Sequence, residues 1–259
     1  MTNAPVPPSY PPGRNLLAGR TVLVTAAAGT GIGFATAKRA MEEGARVVVS
    51  DIHQRRLQEA VDQLGPNAHA VLGNVTVEAD AQRLVDEAVE FGGGRLDVLV
   101  NNACLGGTAR LTEMTDEQWF SVLDVTLTGT MRMTRAALRH MCAQQHGAIV
   151  NNASVIGWRA QEGQSHYAAA KAGVMALTRC AALEAAPSNV RVNAVAPSLA
   201  MHPFLAKVTT EELLAELETR EAFGRAAEPW EVANVIVFLA SDLASYMTGE
   251  VVSVSSQHP

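Results

Sequence analysis

The chain has 259 residues, 48% hydrophobic and 18% charged, enough apolar material for the core of one large α/β domain. Its formal net charge of −6 is scattered rather than blocked, which argues against a nucleic-acid binder. No apolar run is long enough to span a bilayer, so no membrane partner is expected.

Residues 1–15 are proline-rich, lack the apolar stretch of a signal peptide, and read as a flexible or extended arm. The remainder, 16–259, shows no repeat, linker or change of composition and reads as a single domain. Cys104, Cys142 and Cys180 are odd in number and far apart. That spacing fits neither a disulfide framework nor a metal site, and points to reduced thiols in a cytoplasmic protein.

Short apolar runs at 21–25, 46–50, 68–72, 97–100, 148–151, 190–195 and 251–254 have the near-continuous hydrophobicity of buried parallel strands. Helical stripes lie between them: Val77, Ala81, Leu84, Val85 and Ala88 form one, and Val232, Val235, Ile236 and Leu239 another. Thr115 and Gln118 form a capping-box signature ahead of Trp119 and Leu123. The segment 198–223 breaks the alternation, carries Pro203, and holds a short helical stretch at 211–219 capped by Thr209. Such an excursion beyond a strand's carboxyl end is a candidate substrate loop.

The first strand runs into Ala26-Ala27-Ala28-Gly29-Thr30-Gly31-Ile32-Gly33 and then a helix of small residues. A tight turn, a backbone close to a pyrophosphate and a helix packed near the sheet all require residues without bulk. The helix N-terminus then offers free N–H groups to phosphates. Asp51, at the end of the second strand, is placed to accept both hydroxyls of an adenosine ribose and to repel a 2′-phosphate. That favours NAD over NADP, although Arg55 and Arg56 are nearby and Asp51 could simply cap the next helix.

Tyr167 and Lys171 are one helical turn apart on one face, so the ammonium can favour ionisation of the phenol, and Ser154 follows the fifth strand. With these residues, the Thr25–Gly33 turn, Asn101-Asn102-Ala103 and Arg191-Val192-Asn193-Ala194-Val195-Ala196-Pro197, the chain resembles the short-chain dehydrogenase/reductase family over nearly its whole length.

The resemblance implies a Rossmann-type doubly wound α/β domain, with about seven parallel strands and helices on both faces. It implies hydride transfer between a secondary alcohol or ketone and NAD. Tyr167 would be the acid/base, Ser154 would steady the alkoxide, and Lys171 would bind the nicotinamide ribose. Thr126 would stand at the fourth catalytic position, in a helix kink where the family usually has Asn holding a relay water. Thr25, Gly29, Thr30, Gly31, Ile32, Gly33, Asp51, Asn74, Val75, Asn102, Ala103, Pro197 and Leu199, with Tyr167 and Lys171, would contact the cofactor. No metal is implied, and a homotetramer is, with helices around 115–143 and 165–186 pairing through Ala168, Ala172 and Ala176.

Some positions depart from the family pattern. Where the family has glycine after Thr25, this chain has Ala26; alanine resists positive φ, so Gly29 is expected to absorb the bend. Cys104 replaces a glycine, with no basic partner apparent to ionise it, and is expected to press on the cofactor pocket. Ser198 follows Pro197, and His202 stands where Thr often meets the carboxamide.

The long turn, the Asn151-Asn152-Ala153-Ser154 strand end and the closing Gln257-His258-Pro259 resemble an actinobacterial subgroup that acts on steroid C/D-ring coenzyme A thioesters, oxidising a ring hydroxyl. Trp158, Phe204, Leu205 and Phe223 would line an apolar pocket, and Arg159 or Lys207 would meet coenzyme A phosphates. The alternatives are a 3-oxoacyl-thioester reductase, which Asp51 disfavours because such reductions draw on NADPH, and a non-catalytic NAD-binding protein.

Overall fold

The computed structural model describes residues 6–201 and 211–256. His202, Pro203, Phe204, Leu205, Lys207, Thr209 and Gln257-His258-Pro259 lie outside the described residues.

Seven strands form one sheet: β1 (Thr21–Thr25), β2 (Arg46–Asp51), β3 (Ala68–Leu72), β4 (Val98–Asn101), β5 (Gly147–Asn152), β6 (Val190–Pro197) and β7 (Val251–Val254). All neighbours pair parallel, in the order β3-β2-β1-β4-β5-β6-β7. The predicted runs match these strands closely; the largest difference is at β6, which continues to Pro197.

Alternation along the strands feeds two cores. Val22, Val24, Val47 and Val49 pack with Ala37, Ala40, Val232 and Ile236 on one face. Leu23, Val48, Leu99 and Ile149 pack with Leu84, Val85, Met133 and Ala137 on the other. The helices supplying those layers are α1 (Ile32–Glu42), α2 (Gln54–Leu64), α3 (Glu78–Phe91), α4 (Asp116–Leu123), α5 (Gly129–Gln144), α6 (Ser165–Ala185), α7 (Glu211–Arg220) and α8 (Pro229–Ala240). Strand order reverses between β1 and β4, so a crevice opens at their carboxyl ends, the usual ligand position in such sheets.

Local signals hold with one exception. The Thr115–Gln118 box is reciprocal, at 3.2 Å and 2.9 Å. Ala81, Leu84, Val85 and Ala88 are buried, but Val77 caps α3 from outside the helix and is exposed.

Two expectations are corrected. Residues 10–16, where the proline-rich arm meets the domain, are pinned rather than flexible. Arg14 and Leu16 donate backbone N–H groups to Glu43 Oε2 at 2.7 and 3.0 Å. Arg39, paired with Glu43, also donates to the carbonyls of Pro11 and Pro12. Tyr10 stacks edge-on against Trp230 at 5.4 Å and bonds Glu42.

The second correction is at Ala26, which itself takes the bend at φ +50, while Gly29 stays out of the positive-φ region. Tertiary contacts impose this. Ala27 N–H is held by Ser50 O at 3.0 Å, and Ala26 O by Asn102 Nδ2 at 3.1 Å. A left-handed alanine costs about 1–2 kcal/mol, part of which glycine would return as extra freedom of the unfolded chain. Ala26→Gly is therefore expected to raise unfolding free energy by about 0.5–1 kcal/mol in urea denaturation, and a loss of stability would contradict the strain.

Candidate active site

At one end of the crevice the turn enters α1 through Gly31, an N-cap with no side-chain cap bond, so the first helical N–H groups stay available to an anion. Gly33 cannot carry a side chain: a Cβ there would lie 2.4 Å from Asn102 Nδ2 and 2.5 Å from Ala26 O. Gly29 faces open space, and Thr30 beside it is exposed.

Asp51 ends β2 and accepts from His53 N–H at 3.0 Å and from the Ala28 N–H of the turn. Burial pushes its carboxyl above the usual range, against the pull of Arg56. Asn74 Oδ1 is engaged by Thr76 N and Oγ1 at 3.0 and 2.9 Å, and buried Val75 packs under Gly129.

Toward the middle of the sheet, Thr25 Oγ1 accepts from the N–H groups of Asn102 and Ala103 at 2.9 and 3.0 Å, locking β1 to the chain leaving β4. Below them Asn101 and Asn151, paired across β4 and β5, form a buried chain with Thr134 and Thr178.

Ser154 leaves β5 with its Oγ accepting from Ile156 N–H at 3.2 Å, which leaves the hydroxyl proton free to donate. That hydroxyl meets the Tyr167 phenol. Burial pushes the phenol above its ordinary value and the Cys104 charge adds to this, while the Ser154 bond pulls it down. Lys171, 1% exposed, places its amine 5.5 Å from the Tyr167 ring centre and donates to Asn152 O at 2.6 Å. Burial pushes that amine toward its neutral form, with Cys104 opposing.

Cys104 is exposed and lies close enough to bear electrostatically on both groups.

Thr126 lies in a π-helical turn, Asp124–Thr128, between α4 and α5. Its hydroxyl accepts from Leu105 N at 3.0 Å and donates to Leu105 O at 3.1 Å, and its carbonyl accepts from Thr130 Oγ1 at 2.8 Å. The structure thus ties Thr126 to the loop carrying Cys104, while Lys171 rests on Asn152.

Pro197 pairs with Val254, and Leu199 N–H points to Glu221 at 3.4 Å. Buried Glu221, which sequence reasoning missed, also accepts from Ser198 and Ser256 at 3.1 and 3.0 Å. Trp158 and Phe223 are 52% and 53% exposed. The loops around 108–110 and 162–164 are joined by Ala109 N–Gly163 O at 3.0 Å and Arg110–Glu162 at 2.8 Å, making a wall just before Tyr167.

A family model described as enoyl-(acyl carrier protein) reductase matches residues 26–256. A crystal structure of a short chain dehydrogenase from Mycobacterium smegmatis superposes with a TM-score of 0.86 at 57% identity, covering 97% of this chain and 98% of that one. The chain is a member of the short-chain dehydrogenase/reductase family. As in that family, it is an oxidoreductase acting on CH–OH groups with a nicotinamide dinucleotide, NAD or NADP.

Among curated relatives, (5R,7aS)-5-hydroxy-7a-methyl-1-oxo-2,3,5,6,7,7a-hexahydro-1H-indene-carboxyl-CoA reductase of Mycobacterium tuberculosis (strain ATCC 25618 / H37Rv) is 59% identical over 99% of this chain and all of its own length. The 3-oxoacyl-[acyl-carrier-protein] reductase FabG of Thermotoga maritima is 40% identical over 92% of this chain and 97% of its own. The dehydrogenase/reductase assignment fits the residues present: an uncapped helix start, a carboxylate at the end of β2, and an orphaned buried amide oxygen on Asn152 beside Lys171.

Proposed function

We propose that the protein is an NAD-dependent oxidoreductase that interconverts a ring hydroxyl and ketone on a fused-ring, steroid-derived coenzyme A ester. The observation that carries this reading is the Ser154–Tyr167–Lys171 cluster in a chain 59% identical to a hydrindane-carboxyl-CoA reductase. That relative is named for reduction, whereas the sequence resemblance pointed to oxidation; the same groups serve both directions.

Thr25, Gly29, Thr30, Gly31, Ile32, Gly33, Asp51, Asn74, Val75, Asn102, Ala103, Pro197 and Leu199 would hold the dinucleotide, with Tyr167 and Lys171 at its reactive end. When bound, it supplies or takes up the hydride. Ser154, with Ile156 N–H on one lone pair, would turn its hydroxyl proton from the Tyr167 phenol to the substrate oxygen. Tyr167, neutral at physiological pH because burial disfavours its charge, gives its proton to a ketone oxygen in reduction and takes it back in oxidation. Lys171 is fixed on Asn152 O, 5.5 Å from the phenol ring centre, where its charged form would favour the phenolate.

Asp51 supports NAD, because a half-buried carboxylate beside a 2′-phosphate is repulsive. NADH is expected to bind at least about tenfold tighter than NADPH, and Asp51→Ala to shrink that ratio, measured by fluorescence titration. Tighter NADPH binding by the wild type would overturn this choice.

Trp158 and Phe223 would cover the apolar rings, and half-buried Arg159 would approach coenzyme A phosphates. A cytoplasmic homotetramer completes the reading, with Ala168, Ala172 and Ala176 allowing α6 to approach a second copy. Light scattering is expected to give the tetramer mass, and a monomer would contradict it. Absorbance at 340 nm with a hydrindane-type hydroxyacyl-CoA against straight-chain 3-hydroxyacyl-CoAs tests the substrate. Turnover of only the straight chains would favour the second reading, a 3-oxoacyl-thioester reductase, which the FabG likeness supports.

A further inference from the structure

The Asn151-Asn152-Ala153-Ser154 strand end contains a residue the mechanism above uses only through its backbone. Asn102 Nδ2 donates to Thr25 O and Ala26 O, each at 3.1 Å, so the orientation of that amide is fixed by two carbonyls. Its oxygen therefore faces β5, where it accepts from Asn152 Nδ2 at 3.0 Å. This in turn fixes Asn152: flipping its amide would set two carbonyl oxygens against each other. Asn152 Oδ1 is left buried and without a partner among the described residues.

Buried amide oxygens are almost always met by a donor, so an orphan at a binding crevice marks a place for one. Asn152 is 9% exposed, and its main-chain carbonyl already holds the Lys171 amine at 2.6 Å. The orphaned oxygen thus belongs to the residue that anchors Lys171, at the carboxyl edge of β5. An amide oxygen only accepts, so its partner must carry an O–H or N–H. On a dinucleotide, the adenine amine lies at the far end, toward Asp51 and Asn74, and the carboxamide is expected near Pro197. The donor left beside Lys171 is a ribose hydroxyl.

We propose that Asn152 is a cofactor-binding residue whose side-chain oxygen accepts a hydrogen bond from a hydroxyl of the ribose next to the nicotinamide. The proposal rests on the dinucleotide reading of the previous section and deepens it. Through Asn102 the same amide reaches Ala26, so this contact is joined to the strained turn that receives the pyrophosphate.

The test is equilibrium binding to the full chain, read by fluorescence. Wild type and Asn152→Leu are titrated with NADH, with NADH analogues lacking the 2′- or 3′-hydroxyl of the nicotinamide ribose, and with ADP. Asn152→Leu is expected to weaken NADH about tenfold and leave ADP unchanged. One deoxy analogue is expected to weaken wild type by a similar factor and Asn152→Leu no further, the coupling of a direct contact. NADH affinity within about twofold of wild type in Asn152→Leu, or losses that simply add, would overturn the proposal. Should Asn152→Leu also lose ADP, wild type alone decides: equal affinity for NADH and both deoxy analogues overturns it. Wild type that binds NADPH but not NADH would instead refute the NAD choice, and the same deoxy comparison on NADPH then decides for Asn152.

Discussion

Replacing Tyr167 with phenylalanine is expected to lower turnover about 10³-fold in both directions, with the fold retained. Only the phenol oxygen is removed; the ring keeps its packing near Lys171. Ser154 retains its hydroxyl, but an ordinary alcohol has no proton to release at neutral pH, so it can steady the substrate oxygen without replacing the acid. What survives is the positioning of substrate against the dinucleotide. Stopped-flow or steady-state absorbance at 340 nm measures the loss, and a decrease of less than about tenfold would show that another group moves the proton.

The largest expected effect on stability lies far from the chemistry. Glu43 is fully buried and pairs with Arg39, itself 5% exposed, while receiving the N–H groups of Arg14 and Leu16. Glu43→Ala strands a buried guanidinium and two backbone donors at once, and breaking such a pair costs about 3–5 kcal/mol. Thermal and urea unfolding should show that loss together with release of the arm to proteolysis; a change below about 1 kcal/mol would mean that the arm is not held this way.

The sign of the pH dependence follows from the environment. Burial raises the Glu43 carboxyl, but the two N–H groups and Arg39 outweigh it and leave it below its ordinary value of 4.5. Its stabilisation is present above pH 4.5 and is lost as pH falls through the lower folded value. Wild type should therefore lose this increment in acid, and Glu43→Ala should lack that part of the decline.

The contrast between these two sites shows what a linear sequence conveys. Val22, Leu23 and Val24 read as a buried parallel strand because apolar continuity is local. The Tyr167–Lys171 pair reads as one helical face for the same reason. Ala26 did not, because its positive φ is held by Ser50 of β2 and by Asn102 just beyond β4. The arm looked flexible from its prolines, whereas the groups that hold it are Arg39, Glu42 and Glu43 at the end of α1. Thr126 was readable as a kink position, but not as a clamp on Leu105. Glu221 was invisible because Ser198 and Ser256 meet it from segments far apart.

The account depends on a single proton passing through the Tyr167 oxygen, and the pH dependence of alcohol oxidation tests it most directly. The wild-type rate should climb with rising pH as the phenolate forms, over a range that burial shifts upward, while the residual rate of Tyr167→Phe should be flat. An identical climb in both proteins would place the titrating group elsewhere and contradict the mechanism.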